Sequence, residues 1–317
     1  MADFDPAPLP GVALVVYLAA LFALGLWARG RIHNTTDYLV AGRSLSLPLA
    51  SATLFATWFG AGTLLAVTDE VRAEGVRAAA LDPIGAGACL LLAGVFLARR
   101  LWRLQLLAVV DFFRRRFGAR AELLAGVLMV PGFCGWVAAQ FVALAAVLEL
   151  IFGLDPALGR VLVAIVGAGY TLLGGMWSVT ITDAFQVVLL LVGLVILGFA
   201  ALAKLGAADP VAGFGRLLAE TPPDLLTLVP LDELRPLLAW LGLFAAAALG
   251  NLPGQDLAQR ILAARSERVA QRACIVAGIA YLGFGLIPVG LGLVSLLVPL
   301  ALGAYLLVAP SPSPEHR

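Results

Sequence analysis

Phe55-Ala56-Thr57-Trp58-Phe59-Gly60-Ala61-Gly62-Thr63 is the stretch whose reading decides the fold. It lies in the middle of residues 44–68, a run with no charge between Arg43 and Asp69. That run is long and apolar enough to cross a bilayer as a helix. Its centre nevertheless carries two glycines and two threonines, where a plain anchor would use leucine. A spanning helix that loosens at mid-membrane frees backbone carbonyls, and such irregular backbone is tolerated only against protein or a cavity. Carbonyls facing a cavity are ligands for small hard cations. The plainer reading of the same glycines is close helix packing, as small residues allow in any bundle.

Composition places the chain in the bilayer. Of its 317 residues 62% are hydrophobic and 13% charged, and the mean hydropathy is +0.99. These values lie far from those of soluble domains. The net charge of +1 supplies no basic surface for nucleic acid. Cys89, Cys134 and Cys274 fall inside apolar runs without metal spacing, so they read as small buried hydrophobes. His33 and His316 are the only histidines. The spans offer no nucleophile–base pair or metal motif, so an enzyme is not expected.

Eight apolar segments are predicted, at 11–28, 48–69, 80–98, 121–149, 157–176, 180–203, 236–254 and 273–299. The N-terminal ten residues contain Asp3 and Asp5 but no basic residue, the wrong sign for a signal peptide. The domain plan is therefore an external tail at 1–10, a transmembrane domain at 11–299 and a Pro/Ser-rich tail at 300–317. Basic residues concentrate in alternate loops: Arg29, Arg31 and Arg43; then Arg99, Arg100, Arg103, Arg114, Arg115, Arg116 and Arg120; then Arg260, Arg265, Arg268 and Arg272. By the positive-inside rule those loops are cytoplasmic and the N-terminus is outside, in a multi-pass protein of the cell (inner) membrane. Residues 102–120 mix arginines with aromatics and leucines, which predicts a short interfacial helix against anionic lipid. The proline-rich 205–235 predicts a structured external loop.

Two further runs bear on function. The segment at 236–254 ends in Gly250-Asn251-Leu252-Pro253-Gly254-Gln255, a second break in a spanning helix. Paired broken helices in corresponding positions of two repeats are the sequence mark of a transporter's central site. The run Tyr170-Thr171-Leu172-Leu173-Gly174-Gly175 predicts a tight turn, followed by Thr182-Asp183-Ala184-Phe185-Gln186. Asp183 suits the N-terminal turn of the next helix. An acid inside an apolar span is also a candidate for ion passage or gating, with Gln186 one turn on.

The stretch Asp37-Tyr38-Leu39-Val40-Ala41-Gly42-Arg43-Ser44-Leu45, the run at 55–63, Tyr-Thr-x-x-Gly-Gly…Thr-Asp-x-x-Gln at 170–186 and Gln255…Gln259-Arg260-Ile261-Leu262-Ala263-Ala264 together resemble the sodium:solute symporter family. The resemblance covers residues 11–298, and the choline-type branch looks closest. It implies an all-α polytopic protein with a LeuT-type inverted-repeat fold and an extra leading helix, importing a small organic solute with Na+ as the coupling ion and no other cofactor. By motif position Ala56 and Phe59 match the family's two backbone sodium ligands, and Asp183 the acid near the sodium exit. Solute is then expected to contact Trp58, Thr63, Trp136, Gln140 and Asn251, with Trp58 and Trp136 able to hold a quaternary ammonium by cation–π contact. Choline transporters carry tryptophan where this chain has Gly254. The family usually has thirteen or more spans, so the second repeat is expected to be incomplete here. The missing part includes the helix that supplies paired Ser/Thr hydroxyls to the same sodium. The alternative is a non-transporting, truncated member of the fold, acting as a sensor, partner subunit or remnant.

Overall fold

The computed structural model describes residues 8–298; the tail at 300–317 lies outside them. The described residues form helices and no named strand. Five helices are long and apolar enough to cross a membrane, and two bent pairs make seven. The leading helix α1 (Pro8–Arg29) is followed by the short α2 (Thr35–Val40). The first bent pair is α3 (Leu47–Trp58) and α4 (Gly62–Glu74), which turn 58° at the predicted break. Next come α5 (Val76–Arg103), α6 (Val110–Phe117), α7 (Ala119–Phe152) and α8 (Pro156–Leu205). After α9 (Pro210–Glu220), the second bent pair is α10 (Leu234–Gly250) and α11 (Gln255–Ala263), which turn 43°, and α12 (Glu267–Leu297) follows.

The predicted fifth and sixth segments run together as α8, but its helical geometry fails at Gly175 (φ 50°, ψ −144°). A Cβ there would lie 2.5 Å from the Tyr38 carbonyl oxygen, so both conformation and space demand glycine. The stretches 156–174 and 176–205 are each long enough to span. With α8 divided there, each of the eight predicted apolar segments falls on a helix or a bent pair among the described residues. Asp183 lies about two turns beyond Gly175, inside the second stretch, so it does not cap a helix start; the turn begins earlier than the polar run suggested.

Burial separates a core from a rim. α12 packs on α3, α4 and α5, while α1 and α3 pack on α8. The centre is filled by Phe55, Phe59, Tyr281 and Phe284, with the Phe55 and Phe59 rings stacked at 4.7 Å and Tyr281 edge-on to Phe59 at 5.2 Å. By contrast α7 buries only Ala145 fully among its residues and exposes leucines and valines along its length. Those apolar faces suit lipid. A short helix is present in the 102–120 stretch as α6, with Arg114, Arg115 and Arg116 in its last turn.

The loop after α2 clamps the end of the second bent pair. Leu45 N–H donates to the Ala263 carbonyl and Arg265 N–H returns to the Leu45 carbonyl. The Arg43 guanidinium donates to the carbonyls of Leu106 and Leu262, Gln259 Nε2 to that of Leu39, and Trp102 Nε1 to that of Ala264. Most of the sequence motifs at 37–45 and 255–264 are thus two halves of one structural contact.

Candidate functional site

The break between α3 and α4 unpairs particular carbonyls. In a continuous helix Gly60 N–H would donate to Ala56 and Thr63 N–H to Phe59. Here Gly60 N–H turns to the Trp58 carbonyl at 3.0 Å and pairing resumes at Leu64 N–H to Gly60 at 3.1 Å. Among the described residues no hydrogen bond reaches the carbonyl oxygen of Ala56 or of Phe59. Unpaired backbone acceptors at membrane depth are costly unless another positive partner replaces the lost proton. Ala56 and Phe59 also line a cavity of about 540 Å³, together with Phe55, Tyr17 from α1, and Gln186 and Leu190 from α8. Gln186 Nε2 donates to the Tyr17 hydroxyl at 2.6 Å and so ties the leading helix to this wall.

A polar seam runs from the cavity towards the Leu47 end of α3. Thr53 Oγ1 donates to Asp183 Oδ2, and Thr57 Oγ1 donates to the Thr53 carbonyl at 2.6 Å. The buried hydroxyls of Ser51 and Thr180 on the same two helices have no hydrogen-bond partner. Carboxylate and hydroxyl oxygens are the ligand types a hard cation takes. Asp183, expected from its motif alone, is placed here beside α3.

The residues expected to touch solute divide into separate places. Trp58 donates its indole N–H to Asp256 Oδ2 at 2.9 Å, which bridges the first broken helix to the second. Thr63 is fully buried against Asp82 and Tyr281. A Cβ on Gly60 would lie 3.5 Å from Gln140 Oε1, so Gln140 of α7 reaches the break. Trp136, one turn earlier on α7, is 49% exposed, and Asn251 is exposed at the end of α10. Gly254 leaves room for Asp256: any Cβ there would strike the Asp256 carboxylate and come within 2.9 Å of the Asn251 carbonyl oxygen.

Asp82, Tyr281, Asp256 and Tyr17 escaped the sequence reading. Asp82 stood in the open, since an acid before Pro83 inside an apolar span is a functional candidate by default. Tyr281 carried no such signal: its hydroxyl meets partners some two hundred residues earlier.

Comparison with known proteins bears on the family and the fold. The profile of the "Sodium:solute symporter family" matches residues 38–307. The human high affinity choline transporter 1 is 31% identical over 271 residues, covering 82% of this chain and 45% of that protein. The Caenorhabditis elegans high-affinity choline transporter 1 is 26% identical over 298 residues, covering 90% and 49%. The sheep sodium/glucose cotransporter 1 is 26% identical over 288 residues, covering 84% and 43%. This chain therefore spans about half the length of the relatives it matches. A solved Na+-coupled sialic acid symporter, in a substrate-bound outward-open state, superposes on 92% of this chain and 62% of its own with a TM-score of 0.78 at 20% identity. The backbone is therefore the LeuT-type fold, all-α with a leading extra helix. With its motifs in order and the profile matched over most of its length, the chain belongs to the sodium:solute symporter family.

Proposed function

We propose that the protein is a sodium-coupled symporter that imports a small organic solute by alternating access. The observation that carries this reading is the pair of unsatisfied carbonyls, Ala56 and Phe59, on the wall of a cavity at a broken helix. Sodium bound there replaces the two missing hydrogen bonds and links α3 to the α8 side of the cavity. Binding in one conformation more tightly than in the other supplies the coupling free energy for solute. Ion release follows the seam at Thr53 and Asp183, whose carboxylate offers the departing ion a ligand. Solute contacts Trp58 and Gln140 at the break of the first bent pair; Thr63, buried against Asp82 and Tyr281, is not offered to it. The loop charges favour a cell-membrane protein with its N-terminus outside.

Choline is the first solute to try, since several of the relatives are choline transporters. The test is uptake of labelled choline into proteoliposomes under an inward sodium gradient. The expected result is accumulation that collapses when potassium replaces sodium and falls in Asp183→Asn. Uptake indifferent to both would refute the coupling. The alternative is a non-transporting member of the fold. It predicts sodium binding with no solute uptake at all.

A further inference from the structure

A second group of oxygens sits at the same break. Asp82 of α5, Thr63 of α4, Tyr281 of α12 and the carbonyl of Trp58 in α3 converge from four helices. Thr63 Oγ1 lies 2.7 Å from Asp82 Oδ2, 2.6 Å from the Tyr281 hydroxyl and 3.4 Å from the Trp58 carbonyl oxygen. The Tyr281 hydroxyl lies 3.1 Å from the Trp58 carbonyl oxygen and 3.2 Å from Asp82 Oδ2. Asp82 Oδ1 is buried and has no hydrogen-bond partner. With Asp82 ionised, the only protons this group holds are the two hydroxyl protons of Thr63 and Tyr281, because a carboxylate and a carbonyl only accept. Each hydroxyl is within reach of three oxygens and can serve one. Lone pairs are therefore crowded against one another with too few protons between them, in a place where an unbalanced charge is costly.

We propose that these four residues form a second sodium site at the same broken helix, made by oxygens other than the Ala56 and Phe59 carbonyls. The ligand set is all oxygen, which selects a hard cation over a transition metal. It contains one carboxylate and three neutral oxygens, so a monovalent ion balances its charge and a divalent ion leaves an excess. Trp58 and Thr63 belong to the two halves of the first bent pair, whereas Asp82 and Tyr281 belong to α5 and α12. An ion here consequently fixes the bend against both neighbours. Asp82 also answers its orphan oxygen: Oδ1 becomes a ligand. The inference rests on the symporter reading for its choice of ion, but it makes a separate prediction about stoichiometry.

The test is equilibrium binding of radioactive sodium to the purified 317-residue chain in lipid nanodiscs, with potassium holding ionic strength constant. The wild-type chain is expected to bind two sodium ions. Asp82→Asn keeps the shape and removes the charge, and should weaken one of the two binding steps about tenfold or more, because the ion loses the buried charge that balances it. Tyr281→Phe keeps the ring packing, removes one ligand and should weaken the same step, which carries the test if Asp82→Asn does not fold. One sodium bound by the wild type and untouched by either substitution overturns this site and leaves the carbonyl site standing. One sodium that Asp82→Asn abolishes supports this site and refutes the carbonyl one. Two sodium ions that neither substitution affects overturn the assignment of these residues, and no sodium binding in the wild type overturns both sites.

Discussion

Replacing Thr53 with valine removes one O–H and almost no volume from a fully buried position. The lost group is the donor to Asp183 Oδ2, the sole side-chain hydrogen bond described for that carboxylate. Hydrogen bonds between membrane helices average about 0.6 kcal/mol and reach about 1.7. A bond to an ionised acceptor is roughly twice as strong as a neutral one. The pair should therefore be worth about 1–3 kcal/mol, and Thr53→Val should destabilise the protein by that amount. Removing Asp183 instead, as Asp183→Leu, deletes the charge together with its need for a donor. A buried charge is costly to keep, so this substitution should cost little or even stabilise. Once Asp183 is gone, Thr53→Val should be nearly silent. The assay is a double-mutant cycle on purified protein unfolded in mixed micelles and followed by circular dichroism. Independent sites add to within about 0.5 kcal/mol. A coupling smaller than that would refute the claim that α3 holds the acid of α8 through Thr53.

Further outcomes follow from other contacts. Gly175→Ala forces a side chain into a backbone conformation at φ 50° and against the Tyr38 carbonyl, so it should cost about 2–5 kcal/mol, read as a lowered thermal midpoint. Trp58→Phe keeps an aromatic ring but strands Asp256 without its indole donor, and should lower stability by about 1–3 kcal/mol in the same measurement. Arg43→Ala removes the donor to the carbonyls of Leu106 and Leu262, and should loosen the α2–α11 clamp, seen as faster amide exchange at Leu45 and Arg265. Glu267→Gln breaks only the exposed pair with Arg103 and should leave the thermal midpoint unchanged.

The passes, both breaks and the α6 helix were legible because each depends on a local run: apolar length, glycine and proline at mid-span, arginine mixed with aromatics. The Gly174-Gly175 turn was legible for the same reason. What local sequence could not give is which residues meet. The motif at 37–45 read as a signature, yet its physical work is to pair Leu45 with the backbone at Ala263 and Arg265, more than two hundred residues away. Trp58 read as an aromatic wall for solute, but its N–H is committed to Asp256 across two bent pairs. Asp183 read as a helix cap or a gate; the start of the second part of α8 at Gly175 removed the first reading and Thr53 gave the acid its contact. The i, i+3 spacing of Ala56 and Phe59 before Gly60 and the family resemblance both pointed to these two carbonyls, and the hydrogen-bond pattern supplies an independent physical reason for them.

Sodium as a ligand of the broken helix is tested most directly by the thermal midpoint of the purified chain as sodium replaces potassium at constant ionic strength. A bound ion stabilises the folded state by mass action, so above its dissociation constant each tenfold rise in sodium adds about 1.4 kcal/mol per ion bound. The account predicts a midpoint that climbs steadily with the logarithm of sodium and stays flat in potassium. Equal midpoints in the two salts across that range would contradict it.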